Sequence, residues 1–261
     1  MFYFPCKKDA TNFNFPTTVK ELSGDAFSNN ILTSIIIPKH ITTLNDGGGE
    51  AANSIFGTFY GCKNLTSLTF ERGENYTYIP SYFLTKSEKL PSFIIPETVL
   101  KIGRYAFSEC KSLTTQLPSK LESIERNAFQ SCNALKEITF SKTLSSLGVE
   151  AFNNCGSLEK LTIPDDCVLT YIPSFCFRSN KNLRDVKLSG KIEAIHDGAF
   201  EYCNSLPTID LSKDLRTIGE RAFSECRRLK DVKFYNKLEA IHEGAFSRCS
   251  SLKKTSLFHR A

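Results

Sequence analysis

Apolar residues recur along this chain in a fixed order. One stretch reads Leu121, Ile124, Ala128, Phe129, Cys132, Leu135, Ile138 and Phe140, the pattern L-x-x-I-x-x-x-A-F-x-x-C-x-x-L-x-x-I-x-F. Leu144, Leu147, Ala151, Phe152, Cys155, Leu158, Leu161 and Ile163 repeat it, as do Leu215, Ile218, Ala222, Phe223, Cys226, Leu229, Val232 and Phe234. Anchor phenylalanines at 27, 59, 83, 107, 129, 152, 177, 200, 223 and 246 set a period of 23 residues, with one gap of 32. Around Leu161-Thr162-Ile163-Pro164 and Ile209-Asp210-Leu211 the pattern alternates with period two and then meets a breaker, which predicts one short half-buried strand per unit. The stretch through Ala-Phe-x-x-Cys is too short for a full helix and reads as extended chain closed by one helical or 3₁₀ turn. A unit this small cannot bury its own apolar face. Stacking like units buries it, so the expected architecture is a solenoid with a parallel sheet on one face and turns on the other.

Composition agrees with a folded chain. Of 261 residues 41% are hydrophobic and 23% charged, and 14 Gly with 10 Pro exclude collagen-like or disordered classes. No apolar run reaches the roughly 18 residues of a membrane span; Ile35-Ile36-Ile37 is strand-sized. The first ten residues, with Lys7, Lys8 and Asp9, show no secretory signal. The net charge of +5 falls in residues 181–261, yet Asp185, Asp210 and Asp231 alternate there with Lys187, Arg216 and Lys233. A nucleic-acid partner is not expected, because such a footprint requires cations gathered on one face.

The units Ile102-Gly103, Ala106-Phe107, Cys110, Leu113 and Ile218-Gly219, Ala222-Phe223, Cys226, Leu229 resemble the BspA-like type of leucine-rich repeat. The resemblance implies a leucine-rich-repeat solenoid, a right-handed superhelix of about ten units forming a single domain over residues 1–261. It also implies a surface adhesion or antigen protein that binds host or partner proteins. Function itself lives in the residues displayed on the fold.

Departures from the pattern carry their own expectations. Residues 45–57, with Gly47-Gly48-Gly49, read as an inserted loop, and nothing downstream supplies a nucleotide-loop lysine. Neither end shows a capping unit, so truncation or end-to-end self-association is expected. Cys62, Cys110, Cys132, Cys155, Cys203, Cys226 and Cys249 lie three residues after their anchors and read as a column of buried free thiols rather than a metal site or disulfide ladder. His196 and His242 fall two units apart and read as surface residues, and no catalytic constellation is visible. No enzyme activity, cofactor or metal is expected, although Cys6, Cys167 and Cys176 lie outside the thiol column.

If strand residues alternate, one polar stripe faces outward: Ser67 and Thr69, Glu137 and Thr139, Lys160 and Thr162, Asp185 and Lys187, Thr208 and Asp210, Asp231 and Lys233. This stripe is the expected binding face for a protein or glycan partner. It lacks the aromatic anchors of tight interfaces. Cell-surface placement follows from the resemblance, and a cytoplasmic scaffold follows from the missing signal and free thiols.

Overall fold

The computed structural model describes residues 13–46, 56–71 and 76–253. The chain is a solenoid of parallel strands. Among the described residues there are seventeen strands and neither α- nor 3₁₀-helix.

Each regular unit contributes two strands, one more than the sequence pattern predicts. The longer ones form the expected sheet: Ser34–Ile37, Ser67–Phe70, Glu137–Thr139, Lys160–Thr162, Asp185–Lys187, Thr208–Asp210 and Asp231–Lys233. The second column consists of two-residue strands within L-x-x-I, such as Ser123–Ile124, Ser146–Leu147 and Thr217–Ile218. Both columns are parallel and in register from unit to unit, as in Lys160↔Glu137 and Ile124↔Leu147.

The predicted helical turn is replaced by linked tight turns. Around Phe107, the N–H groups of Ala106, Ser108 and Cys110 donate three residues back, while those of Tyr105, Phe107 and Glu109 donate to the carbonyls of Arg126, Ala128 and Gln130 on the next unit. Half of the donors therefore knit neighbouring turns together. The geometry needs two left-handed residues per turn, at positions two before and two after the ring: Tyr105 and Glu109, Asn127 and Ser131, Arg221 and Glu225. A left-handed residue interrupts any right-handed helical run, which is why no helix forms here.

The core lies between these walls. Phe107, Phe129, Phe152, Phe177, Phe200 and Phe223 are fully buried beside Leu121, Ile124, Leu135 and their equivalents. Successive rings from Phe107 to Phe246 stack at 5.0 to 5.7 Å, within 18° of parallel. One anchor moves. Leu84, not Phe83, donates to Ala106 as Phe107 donates to Ala128, so Phe83 occupies the alanine position and Leu84 the ring position. At the N-terminal side Phe13 and Phe15 pack edge-on against Phe27.

The 32-residue gap leaves the stack intact. Phe27 and Phe59 lie 5.3 Å apart and 14° from parallel, so these two rings are stacked neighbours despite the longer spacing between them. Residues 47–55 of the expected loop lie outside the described residues; Asp46 before them accepts hydrogen bonds from the Tyr78 hydroxyl and the Ser81 N–H. Burial and the nearby Asp46 carboxylate raise the Tyr78 pKa. No helix among the described residues is long and apolar enough to cross a membrane.

Candidate partner-binding surface

The twelve stripe residues share one face of the sheet. Eleven are exposed and Thr162 is half-buried, while the residues between them, Leu68, Ile138, Leu161, Ile209 and Val232, are buried in the core and Val186 is partly buried. Register aligns Glu137, Lys160 and Asp185 across three units, an alternation of sign, with Thr139, Thr162 and Lys187 beside them. Further along, Thr208 opposes Asp231 and Asp210 opposes Lys233.

Many of these charges are already paired within the chain. Lys160 reaches Asp185 at 3.9 Å and Lys187 reaches Asp165 at 2.9 Å. Tyr235 donates to Asp210 at 2.9 Å and lies under the Lys233 ammonium at 5.0 Å. Exposed pairs of this kind are worth about 0 to 1 kcal/mol each, so a partner can exchange them at little cost.

Two prolines divide the face. The residue before each strand normally donates to its counterpart in the preceding unit, as Arg184 does to Glu159 and Lys230 to Pro207. Pro91 and Pro207 have no N–H to give. Accordingly the strands at Asp185–Lys187 and Thr208–Asp210 belong to separate ladders, and the sheet before Ser92 is likewise a separate pair. Beside Pro207 lies a shallow polar groove of about 330 Å³ lined by Glu159, Asn182, Arg184, Ser205 and Arg228. Arg184 is committed to Glu159.

Sequence reasoning missed the apolar end of this face. Ile36, opposite Thr69, is 61% exposed, and Ile94 is 86% exposed. By position in their units these isoleucines flank Thr69. The signal was present: in Ser34-Ile35-Ile36-Ile37 and Phe93-Ile94-Ile95, period-two geometry must turn the middle residue outward.

The remaining chemical groups are structural. Nine cysteines among the described residues are buried. Those of the column donate to a carbonyl of the preceding unit, Cys132 to Phe107 at 3.0 Å and Cys226 to Phe200 at 3.2 Å. Burial pushes the Cys155 thiol up to about 12 and the Cys249 thiol up to about 11. A neutral, enclosed thiol is a poor nucleophile; Cys167 and Cys176 are buried and shifted in the same direction by burial. Cys6 lies outside the described residues. Ser87 and Asn180 stand in for cysteine in two of the other units, each donating to a ring-position carbonyl, Phe59 and Phe152. His196 and His242 are exposed and separated by the unit of Gly219. No group of three or more His, Cys, Asp or Glu among the described residues could hold a metal ion.

Parallel short strands, stacked rings and a repeated turn define a leucine-rich-repeat solenoid. A family model described as the BspA type leucine rich repeat region matches in six copies over residues 2–48, 56–170 and 170–260, and the chain belongs to that family. Comparison with curated proteins gives no match. Among solved structures, a leucine-rich repeat protein from Eubacterium ventriosum is 27% identical with a TM-score of 0.70, covering 95% of this chain and 67% of that one. One from Bacteroides ovatus is 23% identical with a TM-score of 0.66, covering 92% and 70%. The pneumococcal vaccine antigen PcpA is 20% identical with a TM-score of 0.56, covering 96% and 78%. The last two share the fold; their low identity carries nothing further.

Proposed function

We propose that this chain is a protein-interaction module whose sheet face binds a partner protein, and that it serves at a cell surface in adhesion or as an antigen. The observation that carries the reading is the register-aligned outer face, which joins an exposed apolar end at Ile36 and Ile94 to an alternating charged end from Glu137 to Lys233. Burial of the apolar end supplies affinity, and the charged end selects a partner by sign. The surface role rests on what membership of the family implies. Antibody staining of intact and permeabilised cells tests it. Signal on intact cells supports a surface role. Signal only after permeabilisation sinks adhesion and favours the second reading, an intracellular scaffold, for which the free buried thiols at Cys110, Cys132, Cys155, Cys203, Cys226 and Cys249 speak. The binding face is tested separately with Ile36→Lys and Ile94→Lys: each is expected to lower partner capture at least fivefold while leaving the melting temperature within about 2 °C, since neither side chain is buried.

A further inference from the structure

One edge of the solenoid carries a charge polarity that the repeat does not require. Three residues before each ring, one side chain per unit projects from the turn: Arg104, Arg126, Val149, Ser174, Asp197, Glu220 and Glu243 in chain order. Their alignment is fixed by the backbone. The carbonyls of these residues accept in turn from Tyr82, Tyr105, Asn127, Glu150, Phe175, Gly198 and Arg221 of the preceding units. Both arginines and all three acids are exposed, and Val149 between them is an exposed large apolar side chain.

Two cations stand one unit apart at one end of this row and three anions stand at the other. Like charges at that spacing repel, so each end is unfavourable in the isolated chain. Partial compensation exists. Glu125 beside Arg126 is taken by Lys101 at 2.7 Å and by the Arg104 N–H, Arg126 Nε donates to Asn127, and Glu220 has Arg221 at 3.6 Å. The Arg104 guanidinium and the Glu243 carboxylate form no ion pair among the described residues.

We propose that this edge is a self-complementary docking surface for a second copy of the chain. A row with cations at one end and anions at the other matches itself when turned end for end, which is the condition for a two-fold contact. Antiparallel alignment sets Arg126 against Asp197 and Arg104 against Glu220, each pair occurring twice. Val149 then faces Ser174 on either side of the axis. The row is about 30 Å long at roughly 5 Å per unit. A contact that narrow buries well under the roughly 800 Å² per partner of a standard interface, so the dimer is weak and salt-sensitive.

Sedimentation velocity of the whole chain from about 1 µM to about 1 mM, at about 50 and about 500 mM NaCl, tests this. The expected result is a concentration-dependent dimer at low salt that is lost at high salt. Arg104→Glu and Glu220→Lys each weaken it at least fivefold. The double variant restores it to within twofold, and an equimolar mixture of the two single variants associates more tightly than either alone. Both positions are exposed, and unchanged circular dichroism melts exclude misfolding as the cause. A monomer throughout, a dimer indifferent to salt and to both reversals, or a double variant as weak as the singles would overturn the proposal. None of these outcomes bears on the sheet face, whose partner is read by the isoleucine variants.

Discussion

From Phe107 to Phe246 seven rings run in one near-parallel stack, whereas between Phe59 and Phe107 the stack breaks up. There Phe59 meets Phe83 at 85°, Phe83 meets Phe93 at 52°, and Phe93 meets Phe107 at 43°. The cause is local. With Leu84 at the ring position and Phe83 at the alanine position, two aromatic side chains from outside the column, Phe83 and Phe93, fill the volume that one anchor fills elsewhere. Tyr82, Leu84 and Lys86 of this unit still donate to Arg104, Ala106 and Ser108 of the next, as in the regular units. Backbone register therefore defines the columns, and side chains fill them by whatever packing reaches density.

The difference should be greatest in alkali, because the regular segments concentrate thiols at Cys110, Cys132 and Cys155 and again at Cys203, Cys226 and Cys249, whereas Ser87 and Asn180 interrupt the column. A buried thiol costs nothing while neutral. Above pH 9, its ordinary value, the unfolded chain ionises first, so native stability falls until the folded value is reached, about 12 for Cys155 and about 11 for Cys249. The loss per thiol is about 1.4 kcal/mol for each pH unit within that window. Hydrogen exchange between pH 8 and 10.5, corrected for the intrinsic rate, should show residues 107–158 and 200–246 losing protection before the unit of Leu84. Uniform loss would remove the distinction.

Next in size is the stack itself. Phe152 is fully buried between Phe129 at 5.1 Å and Phe177 at 5.7 Å, so Phe152→Ala should cost about 3 to 5 kcal/mol in denaturant unfolding. In the irregular unit the paired change Phe83→Ala with Leu84→Phe restores the regular order with a net loss of core volume, and since the new ring refills the anchor position it should cost about 1 to 3 kcal/mol, less than Phe152→Ala. If the pair costs as much as Phe152→Ala, the irregular packing is specified rather than accommodated.

Much of this was legible in the chain. Rings, cysteines and leucines recur at one spacing because each must meet its own kind in the next unit, and that spacing reveals a stacked core without any coordinates. The second strand column was not legible, since a two-residue strand such as Ser146–Leu147 has no alternation to read. Nor were the turns. Asn127, Asn154 and Gly198 are ordinary occupants of left-handed positions, but Tyr105, Glu150 and Arg221 occupy equivalent ones and give no such signal. The outer stripe was readable wherever one buried residue sits between two polar ones. It was missed where Ile36 and Ile94 face out, because an apolar run conceals its own alternation. The edge row from Arg104 to Glu243 becomes visible only once hydrogen bonds fix which residues are neighbours.

A smaller effect tests the thiol column at its polar exception. Asn180 is fully buried and donates to Phe152 and Phe177, yet its Oδ1 lacks a hydrogen-bond partner. Asn180→Cys removes the unpaired acceptor, keeps a donor aimed at the same carbonyl and nearly preserves volume. A buried unsatisfied oxygen costs about 1 to 3 kcal/mol and a lost hydrogen bond about 1, so a net gain near 1 kcal/mol is expected by chemical denaturation. A loss instead would mean that Asn180 stabilises this unit through its two donated bonds more than the column rule allows.

The smallest effect concerns the turn that both regions share. Arg221 holds φ at 53°, and the units on either side place Gly198 and Gly244 at the same position with φ of 58° and 63°. A non-glycine residue pays about 1 to 2 kcal/mol in that region, while glycine adds about 0.5 to 1 kcal/mol of unfolded-state entropy to be lost on folding. The balance favours Arg221→Gly by about 0.5 to 1 kcal/mol, because the side chain is exposed and its contact with Glu220, at 3.6 Å, is weak. Arg221→Val should go the other way, since a β-branched residue is least tolerant of positive φ. A melting temperature that rises for glycine and falls for valine places the cost in the backbone. Equal falls would place it in the lost guanidinium, and the left-handed turn would then be no burden to the repeat.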